Sequence, residues 1–537
     1  MRDRDTLSRR DFVRYASAGA ASSVLFGCET PPVANSSDRR PTRGEPVAPP
    51  ESIDPDDWNA LADLALRRVR RSGAEYGDVR ILDTTRQSIR GQDRRIASIN
   101  DARDRGFGVR VLYHGAWGFA ASSRLTASEV RRIADLAVEV ARSSATLVVD
   151  PVELAQEPAH KRTVVTPRQV DPFAVALEDK TRLLIDTMEM MHRQDGVRRS
   201  RARLWAQRDV KLFASTEGSR IHFDLLAVNG SFGATAVHDG RFASRSFNTP
   251  TLRTGYELIN EAGFLSQAQR VAAQAVEKVR APPAEPGAYD LVLDPEHLAL
   301  TIHESCGHPS ELDRVLGYEA NYAGTSFLTT DKLGSFRYGS EHVNLIADNT
   351  EPQTLAATGF DDDGVECQRW HIIREGILVG YCTNREVAPK IGETRSRGSS
   401  RADGWASVPI VRIANIGLAP GDGQLDDMIA DVRRGIYIEG HGSFSIDQKR
   451  YNFQFGGDAF WLIENGKRKH MLRDVIYTGI TPDFWGRCDA VADASHRRRF
   501  GFITCGKGQP GQSGWMTHAA AHARFRGINV MAGQTNK

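Results

Sequence analysis

The chain has 537 residues, and its 70 lysines and arginines against 68 aspartates and glutamates give a formal net charge of +2. This length allows two or three domains, each with its own core. The near balance of charge excludes nucleic acid as the main partner, because there is no basic excess to displace counterions from phosphates. The 40% hydrophobic and 26% charged residues are typical of a soluble globular protein, and 48 glycines in short runs favour strands and hairpins.

Residues 1–28 have the features of an export signal. Arg9 and Arg10 form the pair of a twin-arginine signal, and a weakly apolar stretch follows over residues 16–27. Residues 25–28 resemble a lipoprotein cleavage box with Cys28 as the lipidated residue. Phe26 is unusual in that box, so acylation and simple cleavage both stay open. We therefore expect a periplasmic or membrane-anchored protein, with residues 29–53 as a flexible tether rich in proline, serine and charge.

Two α+β portions follow the tether, at residues 54–150 and 165–280. The first is predicted to hold helices at 58–73 and 125–143, the second of them opened by a cap at Thr126, with short strands at 78–83, 87–90, 95–100, 106–113 and 117–121 between them. The second portion is predicted to hold helices at 171–191 and 255–279, with alternating strands between residues 197 and 248. A proline-rich boundary at residues 281–287 ends it.

The remainder, residues 287–535, is predicted to be rich in strands. A strand at 289–293 leads into a helix that starts with Asp294 as its cap and Pro295 at its first position. Further strands are predicted at 343–347, 370–374, 377–379, 436–439, 452–462 and 467–470. The acidic run Asp361 to Asp363 lacks the ligand spacing of a calcium loop and is interpreted as an exposed turn.

The most informative motif is His303-Glu304-x-x-x-His308 at the end of that helix. Two imidazoles that bracket a carboxylate indicate a metal-dependent hydrolase, in which the metal activates water and the carboxylate takes the proton. The histidines lie five residues apart, about 140° around an ideal helix, so an unbroken α-helix could not turn both towards one ion. Either a left-handed Gly307 that ends the helix or a π-bulge would bring His308 back.

Other donors compete for the third ligand position. Cys505 lies far along the chain in a glycine-rich run, where Gly506-Lys507-Gly508 lacks the order of a phosphate loop and is interpreted as a turn that aims the cysteine. Cys306 lies between the two histidines. His518 and His522 stand four apart, which suits a metal pair on a helix. The cysteines are too scattered for a disulfide framework, although one bridge among Cys367, Cys382 and Cys488 stays open.

Several motifs, in order, resemble the TldD/PmbA family of metalloproteases, and the resemblance covers nearly everything after the tether. These motifs are residues 104–110 with 117–120, His303-Glu304-x-x-x-His308, residues 360–365, residues 462–466 and residues 505–509. The resemblance implies an α+β fold, with two N-terminal α+β portions followed by a largely antiparallel β C-terminal domain that carries the metal-site helix. It implies zinc (Zn2+) held by His303, His308 and Cys505, with Glu304 as the general base.

The resemblance also implies partners. It implies dimers around a cavity in which small or unfolded peptides are cut, either as a homodimer or with a PmbA/TldE-type subunit. The chain retains every metal position and so resembles the active, TldD-type subunit. It departs from the better-described relatives, which are cytosolic, by its export signal, so their substrates and partners do not transfer directly. Contact with a membrane is expected only through the N-terminal lipid anchor.

The sequence therefore predicts an exported zinc-dependent peptidase. Two alternatives from other classes stay open. The first is a catalytically silent scaffold or binding subunit, which a fourth protein ligand that closes the metal site would favour. The second is a thiol enzyme with Cys505 as its nucleophile.

Overall fold

The computed structural model describes residues 55–532, with side chains from 58 to 531. The predicted export signal with Cys28, the predicted tether and the last residues of the predicted C-terminal domain lie outside this part of the chain. None of the helices between residues 55 and 532 combines the length and apolar character that crossing a bilayer requires.

One sheet takes its strands from both predicted N-terminal portions. The strands are β1 (Tyr76–Gln92), β2 (Arg95–Tyr113), β3 (Ala116–Ser122), β4 (Lys161–Val165), β5 (Val197–Ser215), β6 (Arg220–His238) and β7 (Arg241–Asn248). They lie in the order β3-β2-β1-β5-β6-β4, with β7 also paired to β6. Because β1 pairs with β5 from Asp78 to Gln92, the two portions are continuous at the level of the backbone.

These strands are longer than predicted. The sequence suggested separate short strands broken at glycine and aspartate, whereas β1 runs for 17 residues and β2 for 19. The polar stretches continue in register because ladder hydrogen bonds come from the backbone, and β1 has a partner on each side. The prediction of turns inside them is therefore wrong.

The helices of this half cover one face of the sheet. They are α1 (Pro55–Arg71), α2 (Ala127–Ala145), α3 (Leu177–His192), α4 (Glu257–Glu261) and α5 (Phe264–Arg280). The Thr126 cap is confirmed, since its side chain accepts a hydrogen bond from the backbone of Glu129. The single helix predicted over 255–279 is divided, because Gly263 adopts a left-handed φ of 61° between α4 and α5.

Two sheets dominate the C-terminal half. The first contains β8 (Gly287–Leu293), β15 (Arg434–Glu439), β16 (Phe444–Ile446), β17 (Asn452–Gly456), β18 (Ala459–Glu464), β19 (Lys467–Leu472), β20 (Val475–Ile480), β21 (Cys488–Val491) and β24 (Ala523–Ala532). The second contains β9 (Leu345–Asp348), β10 (Arg369–Arg374), β11 (Ile377–Leu378), β14 (Ile416–Leu418), β22 (Arg498–Lys507) and β23 (Gln512–Ala520). A short pair, β12 (Ser400–Arg401) and β13 (Ile410–Val411), lies apart.

Most pairings in these sheets are antiparallel, with parallel contacts between β8 and β15 and between β14 and β23. The strand predicted over 452–462 is two strands, since β17 pairs with β20 while β18 pairs with β15. The short helices here are α6 (Pro295–Ile302), α7 (Leu312–Val315), α8 (Leu425–Ala430) and α9 (Thr481–Gly486). An α+β fold with a largely antiparallel C-terminal part is thus confirmed.

Helix α6 connects the two C-terminal sheets. It follows β8 of the first sheet and packs against β22 and β23 of the second. Its predicted start is confirmed: the side chain of Asp294 accepts from the backbone N–H of His297 at 2.8 Å, and Pro295 takes the first turn. Every described side chain of α6 except that of Glu296 is buried, so the end of the helix is fixed by packing on several sides.

The acidic run Asp361 to Asp363 is buried, so the prediction of an exposed turn is wrong. Each of its residues is at most 5% exposed. Asp362 accepts from Lys211 of β5 at 2.6 Å, and Asp363 accepts from Arg110 of β2 at 2.7 Å. The run therefore attaches the C-terminal half to the N-terminal sheet, on the face opposite the helices. Buried carboxylates are stable here because each has charged or backbone donors.

Candidate metal centre

The two motif histidines are brought together by a π-helical turn. Residues His303–Gly307 form this turn directly after α6, and the backbone N–H of His308 donates to the carbonyl of His303, five residues earlier. The wider turn returns His308 to the side of His303, with ring centroids 5.0 Å apart. Of the two expected solutions, the π-bulge is therefore confirmed and the left-handed glycine is wrong, since Gly307 has a φ of −56°.

Gly307 has a different reason to lack a side chain. A Cβ at this position would lie 3.0 Å from Cγ2 and 3.1 Å from Cδ1 of the buried Ile413. The π-helical turn therefore packs tightly against the segment of this protein that contains Ile413. Glycine allows this approach, which packs the π-helical turn against the segment between β13 and β14.

Strand β22 brings Cys505 to the same point. The donor atoms of His303, His308 and Cys505 all lie within 4.8 Å of one another, and all three residues are buried. Cys505 Sγ is 3.4 Å from Nε2 of His308. Zinc–nitrogen and zinc–sulfur bond lengths place tetrahedral donors roughly 3.3–3.6 Å apart. The separation of His308 and Cys505 falls in this range, and the two imidazoles and one thiol are the donor types that zinc prefers.

Hydrogen bonds leave Nε2 of both histidines free to face this point. The backbone carbonyl of Ile416 can only accept, so Nδ1 of His518 donates to it at 3.0 Å and Nε2 of His518 accepts from Nδ1 of His303 at 2.9 Å. Nδ1 of His308 likewise donates to Glu311 at 2.8 Å. In each ligand histidine the proton is on Nδ1 and the Nε2 lone pair is available, as metal binding requires.

A buried charged network supports Glu311. Lys507 is completely buried, and its ammonium lies 3.4 Å from Glu311 and 2.5 Å from Asp313. Cys505 and Lys507 are two residues apart on β22, so both point to the same face and Gly506 points away. The prediction that residues 506–508 form a turn that aims Cys505 is therefore wrong for Gly506 and Lys507, which belong to β22. The alternation of side chains along this strand directs Cys505 towards the histidines.

Burial sets the protonation of the candidate ligands. It lowers the pKa of His303 and His308 well below the usual value, with neighbouring positive groups adding to the effect, so both are neutral at neutral pH. Burial also raises the pKa of Cys505 to about 12, opposed by the guanidinium of Arg412. The free thiol is therefore protonated, and a metal would have to displace that proton.

Glu304 lies beside the cluster and contacts an arginine. Its carboxylate accepts from Nη1 of Arg450 at 2.5 Å, and its side chain is only 7% exposed. Burial raises the pKa of Glu304, while Arg450 opposes that shift. The carboxylate is thus buried beside the candidate metal ligands, close enough for its charge to raise the pKa of Cys505.

The competing donors lie elsewhere. Cys306 points into the hydrophobic core, outside the donor cluster. His518 is in β23, not on a helix, and contacts His303 rather than joining the cluster, while His522 contacts Tyr437. The interpretation of His518 and His522 as a pair of metal ligands on one helix is therefore wrong.

The remaining cysteines do not pair. Cys367, Cys382 and Cys488 are all free, so the bridge left open among them does not form.

Three residues that contact the candidate ligands or Glu304 were not predicted from the sequence to have that role. Glu311 follows His308 by three residues, a spacing that could have suggested a partner for its ring. His518 was considered only as a metal ligand. Arg450 carried no local signal, since only the folded chain brings it to Glu304.

Comparison with known proteins assigns the family. Residues 286–530 match the PmbA/TldA metallopeptidase C-terminal domain, and residues 77–141 match the PmbA/TldA metallopeptidase domain 1. A metalloprotease of Methanocaldococcus jannaschii is 30% identical over 419 residues, which are 78% of this chain and 89% of that protein. A zinc metalloprotease TldD homolog of Saccharolobus solfataricus is 21% identical, over 87% of this chain and 98% of that one.

The fold has solved counterparts. The structure of TldE from Thermococcus kodakarensis superimposes with a TM-score of 0.68 at 14% identity, over 89% of this chain and all of that one. The two matched family models place the chain among the PmbA/TldA metallopeptidases. More narrowly, the chain belongs to the TldD/PmbA family of metalloproteases, as the sequence motifs predicted.

Proposed function

We propose that this protein is a zinc-dependent peptidase that hydrolyses small or unfolded peptides. The observation that carries the proposal is that the donor atoms of His303, His308 and Cys505 lie within 4.8 Å of one another. Glu304 directly follows His303 in the chain. The zinc metalloprotease name of the Saccharolobus solfataricus relative supports zinc as the ion. A set of two imidazoles and one thiolate also suits zinc better than the harder magnesium or calcium ions.

His303, His308 and Cys505 would hold the ion, which when bound supplies Lewis acidity towards a scissile carbonyl and lowers the pKa of water. Glu304 is the general base in this proposal. Its carboxylate takes a proton from the attacking water and returns it to the departing amine. The buried network of Glu311, His518 and Lys507 holds both imidazoles in the tautomer that leaves Nε2 free.

The contacts argue against both alternatives. A silent scaffold with a closed site needs a fourth protein ligand, and within residues 58–531 the cluster holds three donors. A thiol enzyme needs an exposed thiolate, whereas Cys505 is 6% exposed and burial raises its pKa to about 12.

Metal content and hydrolysis, measured together, test the proposal. We expect about one zinc per chain in the native protein, and its loss together with peptidase activity in His303→Ala and Cys505→Ala. Cys306→Ala is the matched control, because it removes a buried thiol that lies outside the cluster. Full zinc in Cys505→Ala would remove that residue from the site. A native chain without zinc, after zinc is supplied, would overturn the proposal.

Export and assembly form a second part of the proposal. We infer from the Arg9-Arg10 pair that the chain leaves the cytoplasm through the twin-arginine pathway, to become periplasmic or anchored by an acylated Cys28. The mass of the mature N-terminus distinguishes those two outcomes. The likeness to a TldE structure supports a complex with a PmbA/TldE-type subunit, and a homodimer is the alternative assembly. The native mass of the protein, purified alone and with such a subunit, decides between them.

A further inference from the structure

Arg450 has donors that the folded chain does not use. Nη1 of Arg450 donates to Glu304, which is the one side-chain acceptor of its guanidinium among residues 58–531. Nε is buried and has no hydrogen-bond partner. A guanidinium carries five N–H donors in a planar fork, and burying any of them without an acceptor is costly. Nη2 makes no hydrogen bond among residues 58–531 and, unlike Nε, is not one of the buried atoms, so it can meet an acceptor that the protein itself does not provide.

The loop that carries Arg450 is firmly held. Residues 447–451 connect β16 to β17, and Arg450 itself has a left-handed φ of 64°, which is uncommon for a residue with a side chain. Its backbone N–H donates to Asp447, and its carbonyl accepts from Thr481 at 2.9 Å. Arg314 donates to the carbonyl of Gln448 at 2.6 Å. The backbone that presents the Arg450 side chain is thus held by its surroundings.

Three other cations near the metal centre have partners within the protein. Arg314 is paired with Glu319 at 2.8 Å, and Lys507 is paired with Asp313. Arg412 is fully buried and donates to the carbonyls of Cys505 and Gln512. Arg450 differs from them because its side chain is 16% exposed. It is therefore a cation at this site that a molecule from solvent can reach.

We propose that Arg450 binds a carboxylate of the peptide substrate, next to the bond that is cut. A planar guanidinium with unused donors matches the two oxygens of a carboxylate better than it matches a neutral amide. This inference rests on the proposed peptidase function. The carboxylate is either the C-terminal group of the peptide or an aspartate or glutamate side chain.

Paired substrates test the inference on the zinc-loaded full chain. One pair of short acetylated peptides differs only in a C-terminal acid against a C-terminal amide. The other pair has an amide end and differs in aspartate against asparagine. We expect the wild type to prefer the acidic member of one pair, in kcat/KM, by a factor on the order of 10 to 100. The pair that shows the preference identifies the source of the carboxylate.

Variants in the loop of residues 447–451 distinguish binding of the substrate carboxylate by Arg450 from a purely structural role of that residue. Arg450→Gln should abolish the preference, and Arg450→Lys should retain part of it because the charge remains without the fork. Lys449→Gln is the matched control, since it removes an exposed cation one residue away and should keep the full preference. Equal loss of kcat for all peptides in Arg450→Gln, with the preference unchanged, would overturn the inference.

Measuring peptide binding directly makes the test of Arg450 independent of hydrolysis. The same pairs, N-methylated at the scissile amide so that they are not cut, are titrated into the zinc-loaded chain by calorimetry. If the wild type hydrolyses nothing, the proposed function fails, and the ratio of Kd values still decides whether Arg450 binds carboxylates. Equal Kd values for acidic and neutral members in the wild type would overturn the inference.

Discussion

His518 offers the sharpest test of how the fold prepares the metal centre. Its Nε2 accepts from Nδ1 of His303 at 2.9 Å, and its own Nδ1 donates to Ile416 at 3.0 Å. Leucine has a volume similar to that of histidine, but the substitution His518→Leu leaves the buried Nδ1–H of His303 without an acceptor. That group costs about 1–3 kcal/mol when unsatisfied, and partners of ligand histidines typically contribute 10–100-fold to metal affinity. We expect His518→Leu to weaken zinc binding by about 30-fold.

The assay is competition with a chromophoric chelator, in which the zinc Kd is measured directly, accompanied by the absorption spectrum of the cobalt-substituted protein. His518→Gln should stay within about threefold of the wild type, because its side-chain oxygen can accept the same hydrogen bond. His522→Leu is the matched control, since that histidine contacts Tyr437 and not the cluster. A His518→Leu variant that binds zinc as tightly as the wild type, while His303→Ala does not, would refute the reasoning.

Four further predictions concern the proposed base Glu304, the thiol of Cys505, the ion pair between Lys211 and Asp362, and the buried His297. Glu304→Gln should retain zinc and lose about 100- to 10,000-fold in kcat, and near-native turnover would exclude it as the base. Because burial raises the pKa of Cys505 to about 12, zinc binding should release its proton, and the association constant should rise about tenfold per unit between pH 7 and 9; a flat profile would contradict this. Lys211→Met leaves Asp362 without its closest partner, so thermal melting should show a loss of about 3 kcal/mol, against no change for exposed Lys161→Met. Burial lowers the pKa of His297 to about 4, below the unfolded value near 6.5, so its contribution to stability is complete above pH 6.5 and is lost as pH falls towards 4. The stability advantage of the wild type over His297→Gln should shrink by on the order of 3 kcal/mol across that window in urea unfolding, and a constant difference would contradict the assignment.

The local parts of the site could be predicted from the sequence because they depend on neighbouring residues. Asp294 and Pro295 start the metal-site helix, since a cap and a first-turn proline satisfy or avoid the free backbone donors there. The five-residue spacing of His303 and His308 is incompatible with a regular helix, so a bulge or a break had to follow. Spacing also limited the choice to those two forms, and it could not decide between them.

Tertiary structure decided the rest. The π-helical turn is selected by close packing of Gly307 against Ile413, a residue more than one hundred positions away. Asp361 to Asp363 look like a solvent-exposed turn until Arg110 and Lys211 of the N-terminal sheet meet them. The length of β1 and β2 likewise depends on partner strands and not on their own polar residues.

The sequence by itself determined the family, the metal motif and the start of the helix that carries it, because each depends on residues close together in the chain or on a shared order of motifs. Only the tertiary structure decided which tautomer His303 adopts, that Lys507 supports Glu311, and that Arg450 reaches Glu304. These contacts join residues tens to hundreds of positions apart. A hydrogen bond or ion pair depends on a separation of about 3 Å in space, and spacing along the chain does not specify that separation.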